Sequence, residues 1–400
     1  MLAICSDLDE TPNRNVYLEI SRFLNTTEPT SMGPGVGLEV GNTIYFDMPP
    51  DQFAYWNTDD AGRDMVRTLI RSGHIDCLHS FGDLATTRDH AARALDELAH
   101  HDARLDVWID HGRALTNFGS DIMAGQGDLP GAEAYHADLT CDFGVRFVWR
   151  GRVTSVIGQD APFRVSGLWT PRHPIASAST VTKAVVKHVL GLRDHHKYAM
   201  HGSNHVQRRS TLRDGLPVYE FQRCNPHWGG VSSYETGLGL GHVLTGSMLD
   251  RLCRREAVCV LYTHLGKIGR AETPFDETGI SALHRLRQME HEGRIRVLTT
   301  RRLLRYVALR DSLKWRASRD EDGTTIDLQL PARDSLLGDV DAASDLGGLT
   351  FYVPDESPVR LRVSGVEGPK LQANPPDHTG RRSVMVPLDR LRFPEWPSGS

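Results

Sequence analysis

Two side chains of metal-ligand type, His79 and Asp83, stand four positions apart in the stretch GHIDCLHSFGD, Gly73 to Asp83. Side chains alternate along a strand, so Ile75, Cys77 and His79 share one face, with His79 at the C-terminal end. A chain that turns into a helix at Ser80 carries Asp83 about one turn from His79, and both can then point at one ion. The same letters have a second reading, because Ser80 followed three residues later by Asp83 is also a helix-capping pair and needs no ion.

Three more polar groups follow short apolar runs in the same way. Asp7 and Asp9 follow the run Leu2 to Ser6, Asp110, His111 and Arg113 follow Leu105 to Ile109, and His264 follows Ala257 to Tyr262. Carboxylates and imidazoles at strand C-terminal ends are where barrels and open α/β sheets place their chemistry. Such groups hold divalent ions and move protons. Each also has a structural reading: Asp9 as a helix cap, and the cluster from Asp110 to Arg113 as a polar turn. His227 and Trp228 stand beside two glycines in NPHWGG, a loop that suits sugar stacking or a lid as well as a plain turn. The histidines between His188 and His205 match no standard ligand spacing and read as a solvated loop or substrate lid.

The elements that must position these groups alternate. Asp59 and Asp60 cap a helix whose apolar residues Met65, Val66, Leu69 and Ile70 repeat at helical spacing, with Gly73 at its end. Helices are also expected over Thr87 to His101, Thr180 to Leu192, Gly246 to Arg255, Ile280 to His291 and Thr300 to Asp311. Strands are expected at Leu2 to Ser6, Asn42 to Asp47, Leu105 to Ile109, within the FGVRFVW stretch, at Ala257 to Tyr262 and at Ile295 to Leu298. About seven strands alternating with helices imply a parallel sheet or barrel. The runs TIDLQL, LTFYV, VRLRV and SVMVPL then predict a small β-rich domain. The fold class expected is α/β: a distorted (β/α)7-type barrel over residues 1–311, with a β-rich, sandwich-like domain over 312–400.

Composition narrows the function. A net charge of -5, with arginines spread along the chain, excludes a nucleic-acid footprint. Six cysteines at wide intervals, with no CxxC pair, read as reduced core thiols rather than a disulfide scaffold or a cysteine zinc site. No stretch approaches the ~20 apolar residues of a membrane span, and no leader pattern opens the chain, so a cytoplasmic location is expected.

The stretch GHIDCLHSFGD resembles the second motif of the polysaccharide deacetylase, or NodB-homology, family, a Gly-His lead-in, a strand and a His-Ser/Thr-x-x-His ligand pair. Here Asp83 stands in place of the second histidine. SDLDE resembles the family's opening aspartate pair, although Asp7 and Asp9 are separated by one residue. VLYTHLG, with His264, is similar to its last motif, and Arg113 is the candidate for an arginine that the family supplies from another strand end. The resemblance covers roughly residues 1 to 300.

It implies a metal-dependent de-N-acetylase acting on an N-acetylated sugar or sugar conjugate. Asp9, His79 and Asp83 would be ligands of one divalent ion, with His111 as an alternative third ligand. Asp7 would be the base, His264 the acid for the departing amine, and Asp110, His111, Arg113, His227 and Trp228 substrate-binding groups. Zinc is the expected ion, and an oxygen-rich donor set also takes manganese, iron or cobalt. The expected partner is a small-molecule or glycan substrate. SDLDET also resembles the opening motif of haloacid-dehalogenase phosphatases, in which Asp7 would be the nucleophile. A non-catalytic carbohydrate-binding barrel is the third reading.

Overall fold

The structure is a computed structural model that describes residues 1–396 except 9, 113, 162–168, 170–173, 194–195, 228–232, 270, 333–334, 343 and 378. Two compact units are formed, one by Met1–Arg301 together with the tail from Leu391, the other by Arg302–Arg390. The division therefore falls about ten residues before the expected one at 311/312. The tail belongs to the first unit because Phe393 and Trp396 pack on its core and the Leu391 N–H donates to Glu39 at 3.1 Å.

The first unit opens with β1 (Leu2–Ser6), α1 (Arg14–Asn25), a small hairpin of β2 (Pro29–Thr30) and β3 (Gly33–Pro34), and β4 (Asn42–Ile44). Helix α2 (Asp60–Arg71) leads to β5 (Ile75–His79), α3 (Arg88–His100) to β6 (Val107–Ile109), and α4 (Ala137–Phe143) to β7 (Phe147–Trp149). Then come β8 (Val153–Thr154), α5 (Pro174–Leu192), β9 (Gln207–Thr211), β10 (Pro217–Phe221) and β11 (Arg223–Cys224), followed by α6 (Gly246–Arg254), β12 (Cys259–Thr263) and α7 (Glu277–His291); α8 (Thr300–Ser312) starts at the end of this unit and belongs almost wholly to the second. The helices start where side chains can take up orphan backbone N–H groups: Asn13 accepts from Asn15 and Val16, Asp59 from Gly62, and Asp276 from Gly279.

One ten-stranded sheet runs β8-β11-β12-β1-β4-β5-β6-β7-β10-β9. Every neighbouring pair is parallel except β9 with β10. The sheet is curled. Only Gln222 separates β10, which pairs with β7, from β11, which pairs with β12, so one segment of chain lies against strands from both ends of the run. Strands covered on both faces read as near-continuous apolar runs, and all of LAICS in β1 and IDCLH in β5 is buried. The parallel direction brings the C-terminal ends of β1, β5, β6 and β12 to one side of the sheet.

Three expectations need correction. No helix starts at Ser80: Ser80 and Phe81 take φ of 49° and 63°, Gly82 takes 109°, and α3 begins only at Arg88. Left-handed residues cannot open an α-helix, so Ser80 and Asp83 are neither a capping pair nor neighbours on a helical turn. The expected strand Ile295 to Leu298 reduces to a bridge between Leu2 and Val297. Strands β9 to β11 were not expected, because the interior of β10 carries Glu220 and β11 carries Arg223, which break the apolar pattern.

The second unit is β-rich, as expected. It holds β13 (Lys314–Asp320), β14 (Gly323–Gln329), β15 (Thr350–Val353), β16 (Val359–Val363), β17 (Val366–Glu367), β18 (Gln372–Asn374) and β19 (Arg382–Met385). They form a four-stranded sheet, β13-β14-β16-β17, and a three-stranded one, β15-β19-β18. Among the described residues no helix is long and apolar enough to cross a membrane.

Candidate active site at the strand ends

Asp7 leaves the end of β1 into the interior and is 1% exposed. Its two carboxylate oxygens accept from Nη1 of Arg223 at 2.8 and 2.7 Å. Arg223 is itself fully buried, with its guanidinium 3.6 Å from the ring centre of Trp149 and 4.2 Å from that of Tyr262. A planar cation between two aromatic faces regains part of the hydration it loses. Burial raises the Asp7 carboxyl, but the charge of Arg223, then of His79 and His264, outweighs it and holds the group well below the usual carboxylate range.

Two imidazoles face the same oxygen. His79 Nε2, at the end of β5, lies 3.5 Å from Asp7 Oδ2, and His264 Nε2, just past β12, lies 3.6 Å from it. His79 is 1% exposed, and among the described residues neither of its ring nitrogens has a hydrogen-bond partner. Burial pulls its pKa down to about 4 against the opposing pull of Asp7. Burial likewise brings His264 to about 3. Both rings are therefore neutral near pH 7. His264 Nε2 also stands 3.3 Å from the Tyr262 hydroxyl.

The turn after β5 sends Asp83 toward β6. His111 Nε2 lies 3.2 Å from Asp83 Oδ1, and Nδ1 is 3.0 Å from the Tyr45 hydroxyl. A carboxylate only accepts, so Nε2 carries the proton and Nδ1 accepts from Tyr45. The hydrogen bond from His111 holds the Asp83 carboxyl low, opposed by partial burial. The rings of Tyr45 and His111 stand 4.4 and 4.9 Å from that of His79. Asp7, His79, Asp83, His111 and His264 thus belong to one rim.

The other expected residues divide. Asp110 accepts from Trp108 Nε1 at 2.7 Å and from the N–H groups of Phe118 and Gly119, both at 2.9 Å. It is buried, and burial pushes its carboxyl up to about 7. Both oxygens are engaged in organising the loop after β6, where substrate binding had been the expected role. His227 packs on Tyr234, which stacks on His242. Asp9, Arg113 and Trp228 lie outside the described residues.

Arg223 was missed by sequence reasoning. Its signal was an arginine enclosed by Phe221 and Cys224, just before a Pro-Gly loop. It reaches Asp7 from the start of β11.

A divalent ion is implied by the family resemblance, and the donor chemistry fits: His79 offers a buried Nδ1 with no hydrogen-bond partner among the described residues, and Asp83 offers an ionised carboxylate. Among the described residues no ready-made group of three His, Cys, Asp or Glu donors surrounds one point. Comparison of the chain with protein-family models, with curated proteins and with solved structures returned no match.

Proposed function

We propose that the curled sheet is a distorted seven-stranded barrel in which β10 and β11 act as one strand, and that its rim is a metal-dependent hydrolase site of the de-N-acetylase type. The observation that carries this reading is His79, a buried imidazole whose Nε2 faces an ionised carboxylate at 3.5 Å and whose Nδ1 has no hydrogen-bond partner among the described residues. A buried polar group left in this way costs about 1–3 kcal/mol, a cost that a ligand would remove. His79, Asp83 and Asp9 would hold the ion, and His111 would orient Asp83. A divalent ion in such a set activates water at neutral pH and polarises an amide carbonyl.

The chain's own groups divide the remaining work. Asp7 was expected to be the base, but both of its oxygens accept from the buried Arg223 guanidinium, which places it to orient a neighbouring group rather than to take a proton from water. The base role passes to His264, which burial keeps neutral. Its Nε2 faces Asp7 and carries the resting proton, so Nδ1 accepts the water's proton and returns it to the departing amine. Asp7, 3.6 Å away, stabilises the imidazolium formed between the two steps. Arg223 keeps Asp7 ionised and fixed. A phosphatase in which Asp7 attacks phosphorus is disfavoured by the same contacts, since both oxygens are taken up by a cation in a dry interior.

The test is elemental analysis of the purified protein beside a His79→Ala/Asp83→Ala variant, followed by acetate release from N-acetylglucosamine oligomers. About one transition metal per chain, lost in the variant together with acetate release, is expected. No transition metal after reconstitution would overturn the proposal.

A further inference from the structure

We propose that the second unit pairs with a second copy of this chain, edge to edge, through strand β13, to give a two-fold symmetric dimer. Strand β13 is the edge of its sheet, and all seven of its residues, Lys314–Asp320, are exposed. The apolar face of the sheet does not stop before this edge. Leu361 and Val363 of β16 lie across from Ile326 and Leu328 of β14, and these in turn lie across from Ala317 and Trp315 of β13. The first four are buried, whereas Trp315 is 59% exposed. The core face thus runs out into solvent at a strand whose outer backbone edge has no partner strand among the described residues.

The occupant follows from the order of residues along β13. Antiparallel pairing of the strand with itself about Ala317 sets Lys314 of one copy opposite Asp320 of the other, twice. It also sets Trp315 opposite Arg319, twice, and brings the two small Ala317 side chains together on the axis. Directly opposed residues in an antiparallel pair point to the same face, so the ion pairs form on one side and the cation–π pairs on the other. Arg319 is already steadied by Asp355 at 2.7 Å. Charged residues on an edge normally repel foreign strands. Here self-pairing in this one register neutralises them, so the same charges select a second copy over other strands. Joining the edges adds about six backbone hydrogen bonds over roughly 23 Å of ladder and covers both tryptophans. Such an isologous contact closes on itself and does not propagate.

The experiment is analytical ultracentrifugation of the full chain across concentration, with charge-swap variants. Wild type should dimerise. Lys314→Asp and Asp320→Lys alone should each raise the dimer dissociation constant at least tenfold by opposing like charges, and the double variant should restore it. Ala317→Cys should give a disulfide-linked dimer under mild oxidation. A wild-type monomer at every concentration, or a dimer indifferent to the single variants, would overturn the proposal. Metal content and acetate release play no part in these readouts.

Discussion

Arg223 and Asp7 are each charged and each essentially without exposure, so removing one partner leaves the other ionised in a dry interior. Breaking such a pair costs about 3–5 kcal/mol, whereas replacing both members can be close to neutral. Arg223→Met should therefore lower the unfolding free energy measured in urea by an amount in that range, and Arg223→Met/Asp7→Asn should recover most of the loss. If the double variant is no more stable than the single one, the pair is not the unit described here. Asp7, His79 and His264 were legible in the sequence because each follows an apolar run, and the end of such a run is where a strand delivers its last side chain. Arg223 was not, because its carboxylate partner is 216 residues away and a lone arginine in a polar-looking strand reads as surface. What makes it a buried group is the pair of rings, Trp149 and Tyr262, that three-dimensional folding brings to its faces.

Between β5 and α3, the turn at Ser80, Phe81 and Gly82 decides where Asp83 goes. Two successive non-glycine residues with positive φ each cost on the order of 1 kcal/mol or more, and they persist only because the surroundings hold them. The Phe81 carbonyl accepts from the N–H groups of Phe46 and Asp47, and the Ser80 carbonyl accepts from the Thr116 hydroxyl. Gly82 completes the turn at φ 109°, where a Cβ would stand 2.2 Å from the Asp47 carbonyl oxygen. Gly82→Ala should cost about 2 kcal/mol or more and release Asp83 from His111, weakening metal retention in dialysis at unchanged His79. Retention equal to wild type would remove the turn from the site. Helices α2, α3, α6 and α7 were legible to within a few residues from their 3.6-residue apolar repeat and their caps. The turn was not: a serine three residues before Asp83 favours a helix start locally, and the hydrogen bonds that impose the left-handed turn come from Phe46 and Asp47, just past β4, and from Thr116, all remote in sequence.

At the scale of the whole molecule, the buried histidines make stability depend on pH. Burial holds His74, His79, His136 and His201 at about 4 and His264 at about 3. An unfolded histidine takes up its proton below about 6.5, and these five do not until far lower pH. Their stabilising contribution is thus fully present above 6.5 and is lost as pH falls through 4, on the order of 3 kcal/mol for each fully shifted ring. Two carboxyls work the other way. Burial raises Asp76 to about 6 and Asp110 to about 7, so each costs stability above those values and is relieved as pH falls. Asp7, held low, is lost only below the ordinary carboxylate range. Five histidines outweigh two aspartates, so the melting temperature should drop by on the order of 10 °C between pH 6.5 and 4. His136 isolates the effect, because it lies among Phe81, Trp108 and Phe118, away from the candidate metal ligands. Its Nε2 donates to the Thr116 carbonyl and its Nδ1 accepts from Thr140, both at 2.8 Å, an arrangement that only the neutral ring can satisfy. His136→Gln should lower stability at pH 7 but flatten the pH dependence by about one proton, as read from denaturant unfolding at each pH. An unchanged slope would mean that His136 is already protonated in the folded chain, and the Thr140 hydroxyl would then have to act as acceptor rather than donor.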